Sequence, residues 1–350
     1  MVVGNGHSAI HEVAVVDALK HLGHQVKPFY WHSFLNSSSW LLRLWRRLQN
    51  KFLVGSMITK INLLLIQKSL QFEPELIFIY RGTHIKKNTI QKIKKLIPSC
   101  FIYGYNNDDP FSNAYPFWLW RHFIKSIPFY DIVFAYRHSN LVDFKENGAK
   151  QVELLRSWYL PYLHKPLDFS VRKNTNDCIF VGHYEKDGRA ECLESLTRIG
   201  INLQLAGPYS GLKDSGWDIP VKNSKILQSL LPISYLSGHQ YVEAIRNSRM
   251  ALCFLSKLNR DTYTRRCFEI PAIGTVLVSE YTDDLSTLFI EDKEAIFFRS
   301  KGELVNKVKY YLANPDLLEN IRLQGMQRVI QGGHDIYSRV NYVLKFSGKI

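Results

Sequence analysis

The sequence predicts an α/β protein of two doubly wound domains, each a parallel sheet with helices on both faces. Three observations lead there. Short apolar runs alternate along the chain with stretches of helical periodicity, the pattern of a parallel sheet. The 350 residues exceed what one core of ordinary size holds. The stretch Leu160–Asp177, with Pro161, Pro166 and the polar run Arg172–Asp177, reads as a linker between two such halves.

In the first half the strand candidates are Met1–Gly4, Gln25–Tyr30, Leu76–Tyr80, Phe101–Tyr105, Ile132–Ala135 and Val152–Leu155. A helix over Ala9–Leu22 places Ile10, Val13, Val16 and Leu19 on one side and ends at Gly23. In the second half the strands are Cys178–Val181, Asn202–Ala206, Met250–Phe254, Val276–Val278 and Ile296–Phe298. Helices follow over Leu304–Leu312 and Asp316–Val329, and a last one over Tyr337–Lys345 is expected to return to the first domain. The expected domains are 1–165 and 175–333, with 334–350 packing back on the first. Two doubly wound domains offer ligands a cleft at the carboxyl ends of their strands.

Composition narrows the class. The apolar fraction of 46% is that of a globular protein. No run of about 18 apolar residues suggests a transmembrane helix. Met1–Ile10 has neither a basic n-region nor a long apolar stretch, so no signal peptide is expected, and the chain opens as a clipped first strand. The five cysteines are scattered with no CxxC pair, which fits buried thiols in a cytoplasmic protein rather than disulfides or zinc. The net charge is +14, and residues 1–170 hold 21 Lys and Arg against 11 Asp and Glu. Such a field attracts anionic partners without choosing among them.

The most informative segment is DTYTRRCFEIPAIGTVLVS, Asp261 to Ser279. A helix carrying Arg265, Arg266 and Glu269 ends near Pro271–Gly274 and turns into a strand. A carboxylate there can accept the hydroxyls of a ribose, and the arginines can neutralise a diphosphate as it leaves. A capped surface helix, with Asp261 as N-cap and Glu269 paired to Arg265, fits the same spacing.

The FEIPAIG stretch, with Arg266 two residues before Phe268, resembles the spore-maturation CgeB-like glycosyltransferases of the GT-B class. Phe289–Val329, His334 and Arg339 resemble that family's C-terminal block, and Asp108-Asp109-Pro110, Phe180-Val181-Gly182 and Arg189 add to the likeness. The resemblance implies a GT-B fold and a nucleotide-sugar donor. It implies that Glu269 binds the donor ribose, that Asp261 lies near the donor sugar, that Arg266 meets the diphosphate, and that Gly274 follows the donor-site helix. In such enzymes the nucleotide sugar is a substrate, so no cofactor is expected, and no bound metal.

Four further segments carry candidates. The loop Gly182–Arg189 leads into a helix whose free N–H groups would suit a phosphate, with Gly182 allowing close approach and Arg189 adding charge; a plain βα turn fits equally. The turn Gly4-Asn5-Gly6-His7-Ser8-Ala9 matches a GxGxxA fingerprint, but no acidic residue ends the second strand as a dinucleotide enzyme needs. His7 is a candidate general base, needed only if configuration is inverted. Asp108, followed by Asp109, suits an acceptor-side role, a capped turn or, less well, a metal. Ser39–Val54 sets Trp40, Leu41, Leu44, Trp45, Leu48 and Phe52 at helical spacing beside Arg43, Arg46, Arg47 and Lys51. Two readings fit it: a helix on an anionic membrane surface, with Tyr115–Phe129 as a second contact, or an ordinary helix packed on the sheet.

The expected activity is sugar transfer from a nucleotide-sugar donor to a glycan, protein or envelope acceptor, in the cytoplasm or peripherally at the inner face of the membrane. A catalytically silent relative and a nucleotide-sugar epimerase are the alternatives. No nucleic-acid module is visible.

Overall fold

The structure is a computed structural model that describes residues 1–36, 39–166, 175–210 and 215–348. The chain divides into two compact units, Met1–Ser157 with Ile336–Ile350, and Trp158–Asp335. The middle of the expected linker, residues 167–174, lies outside the described residues.

The first unit holds six strands: β1 (Val2–Gly4), β2 (Pro28–Tyr30), β3 (Leu76–Tyr80), β4 (Phe101–Asn106), β5 (Ile132–Ala135) and β6 (Val152–Leu154). They form one sheet in the order β2-β1-β3-β4-β5-β6, every pair parallel. The apolar runs are continuous because both faces are covered: four of the five residues of LIFIY in β3 are buried. Helix Ser56–Phe72 supplies Met57, Ile58, Ile61 and Leu65 to the core, and helix Lys87–Leu96 supplies Ile90 and Ile93. The last helix, Ile336–Lys345, belongs to this unit; it lies beside helix Glu12–His21, and Tyr342 meets the Phe134 ring at 6.5 Å.

The second unit holds β7 (Asn176–Val181), β8 (Leu203–Ala206), β9 (Ser248–Cys253), β10 (Val276–Glu280) and β11 (Ile296–Phe298). Their order is β11-β10-β9-β7-β8, again all parallel. Phe180, Leu252, Val278 and Ile296 form its centre with Leu193, Leu196, Leu304 and Val308 from the covering helices. All eleven expected strands are present, with ends shifted by up to three residues.

The two sheets wind alike. In each, the chain runs from the first strand to a neighbour on one side, then crosses to the other side of the first strand. The reversal falls between β1 and β3 in one unit and between β7 and β9 in the other. Loops leaving the carboxyl ends of such a pair diverge and leave a crevice, the usual ligand site of an open parallel sheet.

Candidate active site

In the second unit the loop after β7 contains Gly182, His183 and Arg189, and the segment after β9 contains Asp261, Arg265, Arg266 and Glu269. The expected donor residues therefore flank the switch point of the second sheet.

The segment after β9 becomes helix Arg266–Ile273. Cys267, Phe268, Ile270, Ala272 and Ile273 are buried, so the helix is apolar nearly all round and serves as a core element. Phe268 stacks on His334 at 4.5 Å, and the helix lies against helix Pro315–Gln331. Gly274 closes it at φ 85°, a left-handed C-cap from which Thr275 N–H reaches the Ile270 carbonyl. Gly274 thus has a structural reason to be glycine. Asp261 is not the N-cap, because the helix begins five residues later; it sits half-exposed on the loop and donates its main-chain N–H to the Ser256 carbonyl.

Glu269 is 1% exposed. One carboxylate oxygen accepts from Arg265 Nε, and the other accepts from Tyr241 Oη at 3.0 Å. His164 Nε2 lies 3.6 Å from the first oxygen. Burial alone would raise the Glu269 pKa, but Arg265, His164, Arg266 and the Tyr241 hydroxyl outweigh it and hold the carboxyl below its ordinary value. Burial lowers His164, against the pull of Glu269 and with a push from Arg265. Its Nδ1 accepts from Leu160 N–H, so the neutral ring carries its proton on Nε2, toward Glu269. The carboxylate expected to meet a ribose is therefore already held by protein groups. Sequence reading missed His164 and Tyr241, since they reach Glu269 only through the fold.

Arg266 differs from its neighbour. It is half-buried at the first turn of the helix and makes no hydrogen bond or ion pair among the described residues. Its positive charge is felt by Glu269, Tyr241 and His183. His183 is held below its ordinary pKa first by desolvation, then by the guanidinium groups of Arg266 and Arg189. His183, exposed on the loop after β7, is another residue absent from the expected set.

Arg189 has a different role from the one expected. Its guanidinium grips Asp187 with two bonds of 2.9 and 2.6 Å, donates to the His183 carbonyl at 2.7 Å and lies 3.5 Å from Glu185. Both Arg189 and Asp187 are almost fully enclosed. The Asp187 carboxylate also accepts the main-chain N–H of Arg189 at the start of helix Arg189–Arg198, where a phosphate was expected. Gly182 likewise serves packing: a Cβ there would meet the Phe180 ring at 2.6 Å. A groove of about 500 Å³ opens beside this loop, at the ends of β7, β9, β10 and β11, with Phe254, Tyr281, Lys257 and Lys301 among its lining.

In the first unit the GxGxxA turn is filled by its own chain. Glu12, 2% exposed, accepts from Gly6 N–H, and a Cβ on Gly4 would strike the Glu12 side chain at 2.8 Å. His7 is exposed on this turn, 2.6 Å from Asn5 Nδ2. Asp108 pairs with Arg81, whose guanidinium lies 5.4 Å over the Trp120 ring. Asp109 is buried and accepts from Phe111 N–H and Asn140 Nδ2.

Two parallel sheets wound in this way define the class: the chain has the GT-B fold. It is similar over 99% of its length to 99% of Anabaena HepE in complex with UDP-glucose, with a TM-score of 0.68 at 10% identity. For a glycosyltransferase from Rickettsia africae the coverage is 99% and 97%, the TM-score 0.67 and the identity 11%. For a structure described as trehalose-6-phosphate from E. coli bound with UDP-2-fluoro glucose, the coverage is 100% and 99%, the TM-score 0.64 and the identity 14%. A family model described as glycosyl transferase-like matches residues 189–345. A search of curated proteins finds no match. The solved structures show the fold, the family model shows a likeness over residues 189–345, and neither supports the spore-maturation branch in particular.

Proposed function

We propose that the chain is a glycosyltransferase whose second unit binds a nucleotide-sugar donor. The observation that carries this is Arg266: a half-buried cation, unpaired among the described residues, at the switch point of the second sheet, in the segment the family model covers. The chain also shares its fold with proteins solved with UDP-glucose and UDP-2-fluoro glucose.

In the proposed reaction an acceptor hydroxyl attacks the anomeric carbon of the donor and a nucleoside diphosphate leaves. Arg266 meets the growing charge on the diphosphate. Arg265 is held in place by Glu269, whose carboxylate oxygens each keep acceptor capacity for a ribose hydroxyl beside their protein partner. Asp261 lies on the loop offered to the donor sugar, and the groove beside Tyr281 receives the nucleoside. His7, after β1, and Asp108, after β4, are the proposed acceptor-side residues. With a cation in this place we propose that transfer needs no bound metal; the rate should not change on adding a chelator. The resemblance of FEIPAIG supports kinship with CgeB-like enzymes. We also propose a peripheral place at the inner face of a membrane, where envelope acceptors lie.

Calorimetry with uridine and guanosine diphosphates tests the donor reading. Arg266→Ala should weaken binding by roughly 10- to 100-fold, the range of one or two charge-assisted bonds. Undiminished affinity in Arg266→Ala would overturn the assignment. One observation favours a silent relative: the Glu269 carboxylate is enclosed by the protein and 1% exposed. Release of diphosphate from a nucleotide sugar separates the two readings.

A further inference from the structure

Helix Trp40–Phe52 is turned the wrong way for a core-packing helix. Its apolar residues Trp40, Leu41, Leu44, Trp45, Leu48 and Phe52 are 66, 58, 51, 58, 41 and 41% exposed. At 3.6 residues per turn they occupy one arc of about 140°. The side facing the protein is largely polar. Arg46 donates to the carbonyls of Phe34 and Asn36, buried Gln49 accepts from Met57 N–H at 2.7 Å, and Asn50 Oδ1 lies 2.8 Å from His84 Nε2. Hydrogen bonds thus fix the helix by its polar side and leave the apolar stripe outward. Water is a poor solvent for so wide an apolar surface, and an exposed patch of this kind marks an interaction site.

The neighbouring chain extends the patch. Trp118 donates its indole N–H to the Lys51 carbonyl at 3.0 Å and meets the Phe52 ring at 5.7 Å, while Arg121 donates to the carbonyls of Phe52 and Leu53. This ties Phe117, 85% exposed, to the same surface. Trp120 is buried and takes no part. Arg43 and Arg47 flank the stripe on one edge with Lys51, and the helix has no acidic residue.

We propose that this face lies in the headgroup region of an anionic phospholipid bilayer, with the stripe entering the acyl boundary. Charge complementarity decides the occupant. Arg43, Arg47 and Lys51 are attracted to anionic headgroups, and tryptophan suits a boundary that is apolar on one side and wet on the other. A second copy of the chain would set these same cations against their equals. The inference rests on the peripheral place proposed above and names the surface that produces it.

The test uses the full chain and vesicles of phosphatidylglycerol with phosphatidylcholine. The protein should sediment with them at low salt and at least about tenfold less in high salt, because headgroup attraction is screened. Leu44→Glu and Trp45→Glu should each reduce binding by about tenfold or more. Arg43→Gln with Arg47→Gln should reduce it by roughly 30-fold. All four side chains are exposed, so circular dichroism should stay that of the parent. Failure of the parent to sediment at low salt, or binding unchanged in Leu44→Glu, overturns the proposal. So does a vesicle-free dimer that Leu44→Glu dissociates while vesicles do not bind, since the stripe would then be a contact between copies. Calorimetry with uridine diphosphate on the same Leu44→Glu preparation reads the donor site separately.

Discussion

Two arginines at the donor end of the second sheet should behave in opposite ways when removed. Arg189 is enclosed with Asp187, so Arg189→Ala leaves a carboxylate without its partner and should lower stability by about 3 kcal/mol or more. Arg266 has no partner among the described residues, so Arg266→Ala should leave the melting temperature within about 2 °C while weakening nucleotide binding. Thermal melts of the two variants check this. The difference was not legible in the sequence, where both read as cations for the phosphates of a donor. Asp187 was equally hidden: it places a carboxylate where a phosphate was expected, and only the fold brings it there. A second residue-scale prediction concerns His84, which burial and then nearby His122 push down to about 3. The unfolded chain takes up this proton near pH 6.5, the folded chain only near 3. Stability should therefore be full above pH 6.5 and fall as pH drops toward 3, by up to about 1.4 kcal/mol per pH unit. Urea unfolding at pH 7 and pH 5 measures the slope, which His84→Gln should flatten.

At the scale of elements, glycines mark where main chains come closest. A Cβ on Gly207 would stand 2.1 Å from the Gly182 carbonyl oxygen, which accepts from Trp217 Nε1 at 2.8 Å. Neither group can move without opening the ends of β7 and β8. Gly207→Ala should cost about 3 kcal/mol, the upper part of the range for overpacking. Gly274→Ala should cost about 1–2 kcal/mol, from its left-handed φ and from a 3.3 Å approach to Arg322 Nη1. Denaturant midpoints rank the two. The strands were legible because parallel strands buried on both faces are nearly uninterrupted apolar runs. Helix Trp40–Phe52 was legible as amphipathic, but not which way it faced. Periodicity reports that a helix has two sides; hydrogen bonds from Arg46, Gln49 and Asn50 decide which side meets the protein.

At the scale of the molecule, the first unit is made of two separate stretches, and its closing helix Ile336–Lys345 comes from the end of the chain. Ile336, Val340, Val343 and Leu344 are buried there. Burying such side chains contributes about 1.5–3 kcal/mol each, so a chain ending at residue 335 should lose several kcal/mol from the first unit. A two-step urea transition, with only one step shifted, would show it. The return of this helix was expected from the sequence, whereas the shared winding of both sheets appeared only in the strand pairing.

That arrangement also orders events at birth. A ribosome delivers the chain from its amino end, so the second unit is complete before the segment that seals the first has been translated. Until then the sheet of β1–β6 lacks part of its cover, and the nascent protein holds greasy surface in the open for the whole time its later half is being made.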